Sequence, residues 1–186
     1  MAITYEVDQK MLAEVQAKLG ELKGKAPTVI SRALNKTATT ARGDLAEKAQ
    51  ATYTVKTGGF KKDMTIRKAN SGNLVAEIHS AGKPLSIVKF HTTAPKKSGG
   101  KANIIKGGGL KALVYSGNIK AFKGPNGQMF QRRSKARLPI KKLSSNSIPK
   151  MIGNEEKVYG VVEPSIETNL HHYMEQQIAV LVGKGG

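Results

Sequence analysis

The sequence predicts an α+β fold. N-terminal helices and a C-terminal helix are expected to pack on a mostly antiparallel β-sheet, with mobile basic loops between the strands. Three observations lead there. Apolar residues recur at helical spacing from Met11 to Ala49, they alternate with a period of two from Met64 to His79, and helical spacing returns after Pro164.

Ile3 to Val7 alternates and reads as a short strand or arm. Asp8 suits the N-cap of a first helix running to about Leu22, with Met11, Leu12, Val15 and Leu19 on its apolar face. Lys23 to Lys25 is a short link, and Pro27 fits the first turn of a second helix. That helix is expected to reach about Tyr53. Its stripe is Val29, Ile30, Ala33, Leu34, Thr37, Ala38, Ala41, Leu45, Ala46 and Ala49, rich in alanine and so suited to close approach. Gly43 weakens it by about 1 kcal/mol relative to alanine.

After Gly58 and Gly59 the period changes. Met64 to Lys68 and Leu74 to His79 alternate around a segment of turn composition, Ala69 to Asn73, and predict an antiparallel hairpin. Pro84 to Phe90 reads as extended. Thr92 to Lys101 reads as a flexible basic loop, and Gly107 to Gly109 as a hinge or bulge before the apolar run Leu110 to Tyr115. Phe122, Met129 and Phe130 flank a turn from Gly124 to Gly127. Val158 to Val162 is expected to be a last short strand, and the final helix to begin at about Pro164 and end near Val182, with Ile166, Leu170, Tyr173, Met174, Ile178 and Leu181 on one face. There is no internal repeat and no long linker, so a single domain over 1–186 is expected. It comprises an N-terminal arm and helix (1–25), a basic strand-and-loop block (56–150) and a C-terminal helix (163–182).

The charge is unevenly distributed. The formal net charge is +18. Residues 1–55 carry eight Lys/Arg against six Asp/Glu, 56–150 carry twenty-one against two (Asp63 and Glu77), and 151–186 carry two against five. A block so basic repels itself unless solvent, phosphate or an acidic protein neutralises it. There is no cysteine, and the four histidines are His79, His91 and the adjacent pair His171 and His172, which point to different helix faces. Neither a metal site nor a disulfide framework is expected. Met1 to Glu6 lacks the pattern of a signal peptide, no run reaches transmembrane length, and synthesis in a cytoplasm is expected. No nucleophile–base arrangement or cofactor fingerprint is present, so no catalytic residue and no cofactor are expected. The run Gly107 to Gly109 lacks the phosphate-loop pattern.

Three segments, in order, carry a family resemblance. The first is Arg32 to Arg42, reading Arg-Ala-Leu-Asn-Lys-Thr-Ala and ending in Ala41-Arg42. The second is Phe122 to Arg133, with Gly124, Gly127 and Phe130. The third is Arg137-Leu138-Pro139-Ile140, followed by Leu143, Ser147, Pro149 and Met151. Together they resemble the minor tail protein Z family of lambdoid phages and prophages, over roughly residues 26–182. The resemblance implies a structural virion protein without catalysis, a tail-completion component at the head-proximal end of a phage tail. It implies a homo-oligomeric ring matching the tail's sixfold symmetry. It also implies contacts with tail terminator, tail tube and head–tail connector proteins, and a part in placing the DNA end. No membrane contact is implied.

The candidate binding residues are the basic side chains Lys96, Lys97, Lys101, Arg132, Arg133, Lys135 and Arg137. Arginine pairs bidentately with phosphate or carboxylate, and lysine neutralises phosphate as a point charge, in both cases without reading sequence. Other readings stand beside this one. Arg133 or Arg137 pairs with an acid inside the protomer or across a subunit boundary, Lys96, Lys97 and Lys101 are merely solvated, or the block meets acidic faces of neighbouring proteins. Tyr115, Phe122 and Phe130 are expected to pack in the core or an interface rather than to stack on bases. A free-standing nucleic-acid-binding protein and a connector that meets protein only are the rival functions.

Overall fold

A computed structural model describes residues 1–56, 58–116 and 118–183. The fold is α+β. Strand β1 (Ala2–Glu6) leads into helix α1 (Gln9–Leu19), where the Asp8 side chain accepts the Met11 N–H at 2.8 Å. Gly20, at φ +54°, ends the helix, and the chain continues as a 3-10 turn over Gly20–Lys25. Helix α2 (Ala26–Thr52) follows with Pro27 in its first turn, where the missing N–H costs nothing. Strands β2 (Met64–Arg67) and β3 (Val75–Ser80) form the expected hairpin, with Met64 opposite Ser80 and Ile66 opposite Ile78. β1 pairs antiparallel with the other edge of β3, so the sheet order is β1-β3-β2.

Helix α2 lies between this sheet and the C-terminal helix. Ala33, Ala38, Ala41 and Ala49 are all buried, with Ile30, Leu34 and Leu45 between them. Small side chains let sheet and helix approach α2 closely, and the larger ones fill the remaining space. Polar clamps fix the register. The Asn35 side chain accepts the Ala69 N–H at 2.8 Å and donates to the Ala69 carbonyl at 2.9 Å, tying the hairpin turn to α2. On the other side, Thr40 and Tyr173 share a hydroxyl hydrogen bond of 3.0 Å, and Lys36 lies 4.5 Å from the Tyr173 ring centroid. Lys18 of α1 pairs with Glu175 on an exposed face.

Seven short strands follow: β4 (His91–Thr93), β5 (Lys101–Asn103), β6 (Lys111–Ala112), β7 (Val114–Tyr115), β8 (Ile119–Lys120), β9 (Phe122–Lys123) and β10 (Met129–Arg132). β11 (Ile140–Lys142) completes a sheet of order β11-β10-β9, beside β4-β5-β6 and the pair β7-β8. A small apolar cluster of Ile87, Ala102, Ala121 and Met129 holds this region together, and Ile104 packs against both it and the main core. Helices α3 (Ile148–Ile152) and α4 (Tyr159–Val182) close the chain.

The structure corrects several local expectations. Val158 to Val162 is not a strand: Val158 precedes α4, and Pro164 lies inside the helix rather than at its start. Val158, Val162 and Ile166 are buried at a spacing of four, whereas Val161 is 50% exposed, which is a helical face written in β-branched residues. Pro84 to Phe90 is not an extended strand. Ser86 makes one bridge to Ser144, and Ile87–Lys89 is a 3-10 turn. Much of the basic loop expected from Thr92 to Lys101 belongs to the β4–β5 hairpin, because Gly99 and Gly100 are buried and bonded to the Pro95 and Ala121 carbonyls. The first helix ends three residues before Leu22, at Leu19.

Replacing Asn35 by alanine removes both bonds to Ala69 and is expected to destabilise the fold by about 1–3 kcal/mol. Asn35→Asp keeps the acceptor but sets a carboxylate oxygen against the Ala69 carbonyl, so at neutral pH it should be no more stable than Asn35→Ala in urea unfolding. Equal midpoints for all three would show that the clamp contributes nothing.

Candidate nucleic-acid interface

The short strands are a consequence of composition. Residues 99–127 contain eight glycines, which weaken and interrupt strands, and Ile105, Leu110, Val114 and Tyr115 are exposed, so no strand there is long or self-sufficient. Hydrogen bonds between strands hold the region instead. Gly100 N–H donates to the Ala121 carbonyl at 2.7 Å, Ala121 N–H to the Leu113 carbonyl at 2.9 Å, and Leu113 N–H to the Gly100 carbonyl at 2.9 Å, closing a three-segment ring of bonds. Gln131 adds two, its amide donating to the Ile119 carbonyl at 3.0 Å and the Leu113 carbonyl at 3.3 Å. Gly100 is favoured by space, since a Cβ there would displace the Met129 methyl and press against the Ala121 Cβ at 3.0 Å. Gly127, at φ +76°, closes the β9–β10 turn in the left-handed region that glycine enters freely.

This framework leaves a cleft of about 670 Å³ between the β4–β5 turn, β8–β9 and the end of β10. Its charged lining is Lys96, Lys120, Lys123, Arg132 and Lys135, with no acid among the lining residues. Arg132 is braced from one side: its guanidinium lies 5.7 Å from the Phe122 ring centroid, and Phe122 in turn packs on Phe130 with centroids 6.2 Å apart. The Lys120 ammonium donates to the Lys97 carbonyl at 3.3 Å, which ties β8 to the β4–β5 turn. From Ile78 to Asn154 the chain carries sixteen Lys/Arg and not one Asp or Glu. The charge in the cleft therefore has no compensating carboxylate in its own region of sequence. Glu77 belongs to the other sheet, where it pairs with Arg67 at 3.1 Å, and Asp63 ends the 3-10 turn Lys61–Asp63 just before β2.

The structure divides the seven candidate residues. Lys96, Arg132 and Lys135 converge on the cleft. Lys97 is exposed beside it and contributes its carbonyl, and Lys101 is half-buried at the start of β5. Arg133 and Arg137 sit on an exposed limb, residues 133–139, that joins β10 to β11 and is closed by the Arg133 N–H to Pro139 carbonyl bond of 3.4 Å. Among the described residues the ion pairs are Lys18–Glu175, Arg67–Glu77 and Lys157–Glu156, so neither Arg133 nor Arg137 pairs with an acid inside the protomer. Lys120 and Lys123 were missed. Each is a single lysine outside any basic run, and only the fold brings Lys120 on β8 and Lys123 on β9 into the same cleft as Arg132. Phe122 and Phe130 pack on one another, as expected of packing residues, whereas Tyr115 is largely exposed.

The arrangement can bind an anion. Five flexible or half-braced cations around an open cleft suit several phosphate oxygens spaced along a chain, and no groups in it are set up to discriminate one base from another. Among the described residues no helix is long and apolar enough to cross a membrane.

A family model described as prophage minor tail protein Z (GPZ) matches residues 10–184, nearly the whole chain. No curated protein and no solved structure matches the chain.

Gly100→Ala is expected to destabilise the short-strand region by about 1–3 kcal/mol, because Met129 and Ala121 must move. Amide exchange should then quicken in residues 99–131 and stay unchanged in α2. Uniform protection across the variant would contradict the close packing at Gly100.

Proposed function

We propose that this chain, which belongs to the prophage minor tail protein Z family, is a virion component that completes the head-proximal end of the tail and meets the phosphate backbone of the phage DNA end. It assembles as a ring, contacts tail terminator and tube proteins, and works by binding, without catalysis. The family match supports the tail role. The observation that supports the DNA role is the cleft of Lys96, Lys120, Lys123, Arg132 and Lys135, in a region of chain without a single acid.

The physical mechanism is counterion release. Each cation that neutralises a phosphate frees a condensed ion, so affinity is sequence-independent and falls steeply with salt. Five contacts per protomer correspond to a slope of log K on log salt of about −4.5. A ring repeats those charges around its axis, and a low-dielectric wall focuses their field on the lumen. Binding of this kind holds a DNA end in place without preferring any sequence, which suits a part that must accept whatever terminus arrives.

Titration of non-specific duplex DNA at several salt concentrations tests this. Affinity should fall about 500-fold between 50 and 200 mM salt, following that slope. The variant Lys120→Glu, Arg132→Glu should fold normally, flatten the slope by about 2, and lower the titre of phage carrying it while particle proteins are made at normal levels. Absence of DNA binding by the wild type at low salt would transfer the cleft to an acidic protein partner. Absence of the chain from purified, disrupted virions would remove the tail role itself.

A further inference from the structure

The limb of residues 133–139 has no part in the cleft beyond Ser134 and Lys135. Every one of its residues is exposed, and Leu138, at 66%, exposes the largest fraction among the large apolar side chains. Arg133 and Arg137 flank it without an acid in reach in their own region of sequence. A small turn that presents one leucine and two guanidinium groups to solvent leaves both kinds of group unsatisfied.

The helical side of the same protomer carries a feature of matching chemistry. A groove of about 460 Å³ runs between β1, α1 and α4. Met11, Ile166 and Leu170 give it an apolar floor, and Glu6, Glu163 and Glu167 give it an acidic rim. None of these three carboxylates belongs to an ion pair among the described residues. The Tyr5 hydroxyl, also in the lining, is buried and has no hydrogen-bond partner, while the Tyr159 hydroxyl donates to Glu163 at 2.9 Å. Burial, with Tyr159 and Glu163 nearby, pushes the Tyr5 phenol well above its ordinary range, so it stays neutral and able to accept an N–H.

We propose that the groove between β1 and α4 receives the limb of a second copy of this chain, with Leu138 on the apolar floor and Arg133 and Arg137 against Glu6, Glu163 and Glu167. The contact is heterologous, since limb and groove are different surfaces, and such contacts build closed rings when their rotation closes. It explains the charge distribution: the acid-free middle of one copy meets the acidic C-terminal helix of the next. It also leaves Lys96, Lys120, Lys123, Arg132 and Lys135 free for phosphate. The inference rests on the reading of the chain as an assembling tail component, and it names the two faces that assemble.

Sedimentation of the purified full chain at low salt tests it, with circular dichroism to verify folding of every variant. The wild type should self-associate, and added salt should reverse this. Glu163→Arg with Glu167→Arg, and separately Arg133→Glu with Arg137→Glu, should each weaken association about tenfold or more. Mixing the two variants should restore it, because each limb then again faces a groove of opposite charge. In a chain without native cysteine, Leu138→Cys with Glu167→Cys should give disulfide-linked oligomers under mild oxidation. A wild type that stays monomeric at about 100 μM, variants that associate as well as wild type, or a mixture without rescue would each overturn the contact. The cleft variant Lys120→Glu, Arg132→Glu serves as the control. It should bind DNA more weakly, with the flattened salt slope, yet still associate, so a failure of the DNA reading and a failure of this contact give different results.

Discussion

The alanine face of α2 is the constraint on which the rest of the structure depends. Twenty-seven residues of helix are enclosed by the β1-β3-β2 sheet on one side and by α4 on the other, and Ala33, Ala38, Ala41 and Ala49 make that spacing possible. Larger side chains at these positions would hold the layers apart and open space that Ile30, Leu34 and Leu45 could not fill. With the spacing set, short polar groups decide the register: Asn35 fixes the hairpin turn, and Thr40 and Lys36 meet Tyr173 of α4. The segment Arg32 to Arg42, which carries part of the family resemblance, is in this sense a structural segment. Its buried positions and Asn35 face other parts of the protomer, and its two arginines flank them.

A second principle governs the short-strand region. Its apolar cluster is small, so burial alone holds it weakly, and a ring of backbone bonds through Gly100, Leu113 and Ala121 joins strands too short to pair stably by themselves. The same stretch concentrates positive charge with no acid to offset it. A region of this kind gains from an external anion on two counts, since neutralisation relieves the repulsion between its cations and contact with a partner orders their side chains. The cleft and the exposed limb both carry part of this unbalanced charge.

Part of the candidate site was legible in the sequence. The clusters Lys96–Lys101 and Arg132–Arg137 stand out as runs, and Lys96, Arg132 and Lys135 do converge on the cleft. Lys120 and Lys123 were not legible, because each is a single lysine and only the packing of β8, β9 and the end of β10 around one cleft brings them together with Arg132. The division of Arg132 from its neighbour Arg133 was hidden for a related reason: β10 ends at Arg132, which lines the cleft, and Arg133 begins the exposed limb. The acidic groove was also out of reach, as it joins Tyr5 and Glu6 to Glu163 and Glu167 across nearly the length of the chain.

What the sequence determined by itself is what depends on local spacing and on totals. The helix-rich ends, the β2–β3 hairpin, the capping by Asp8, the place of Pro27 and the uneven distribution of charge all follow from residues within a few positions of one another, where periodicity and cap chemistry act directly. Tertiary structure decided the elements whose local signal is ambiguous. Val158 to Val162 reads as a strand because β-branched residues favour one, yet Val158 and Val162 are four apart and their burial against the core carries the helix back past Pro164. Thr92 to Lys101 reads as a loop because glycine and lysine favour one, yet the Ala121 and Pro95 carbonyls hold Gly99 and Gly100 in a hairpin turn. In both places a few buried contacts between distant parts of the chain outweigh local preferences worth less than about 1 kcal/mol per residue.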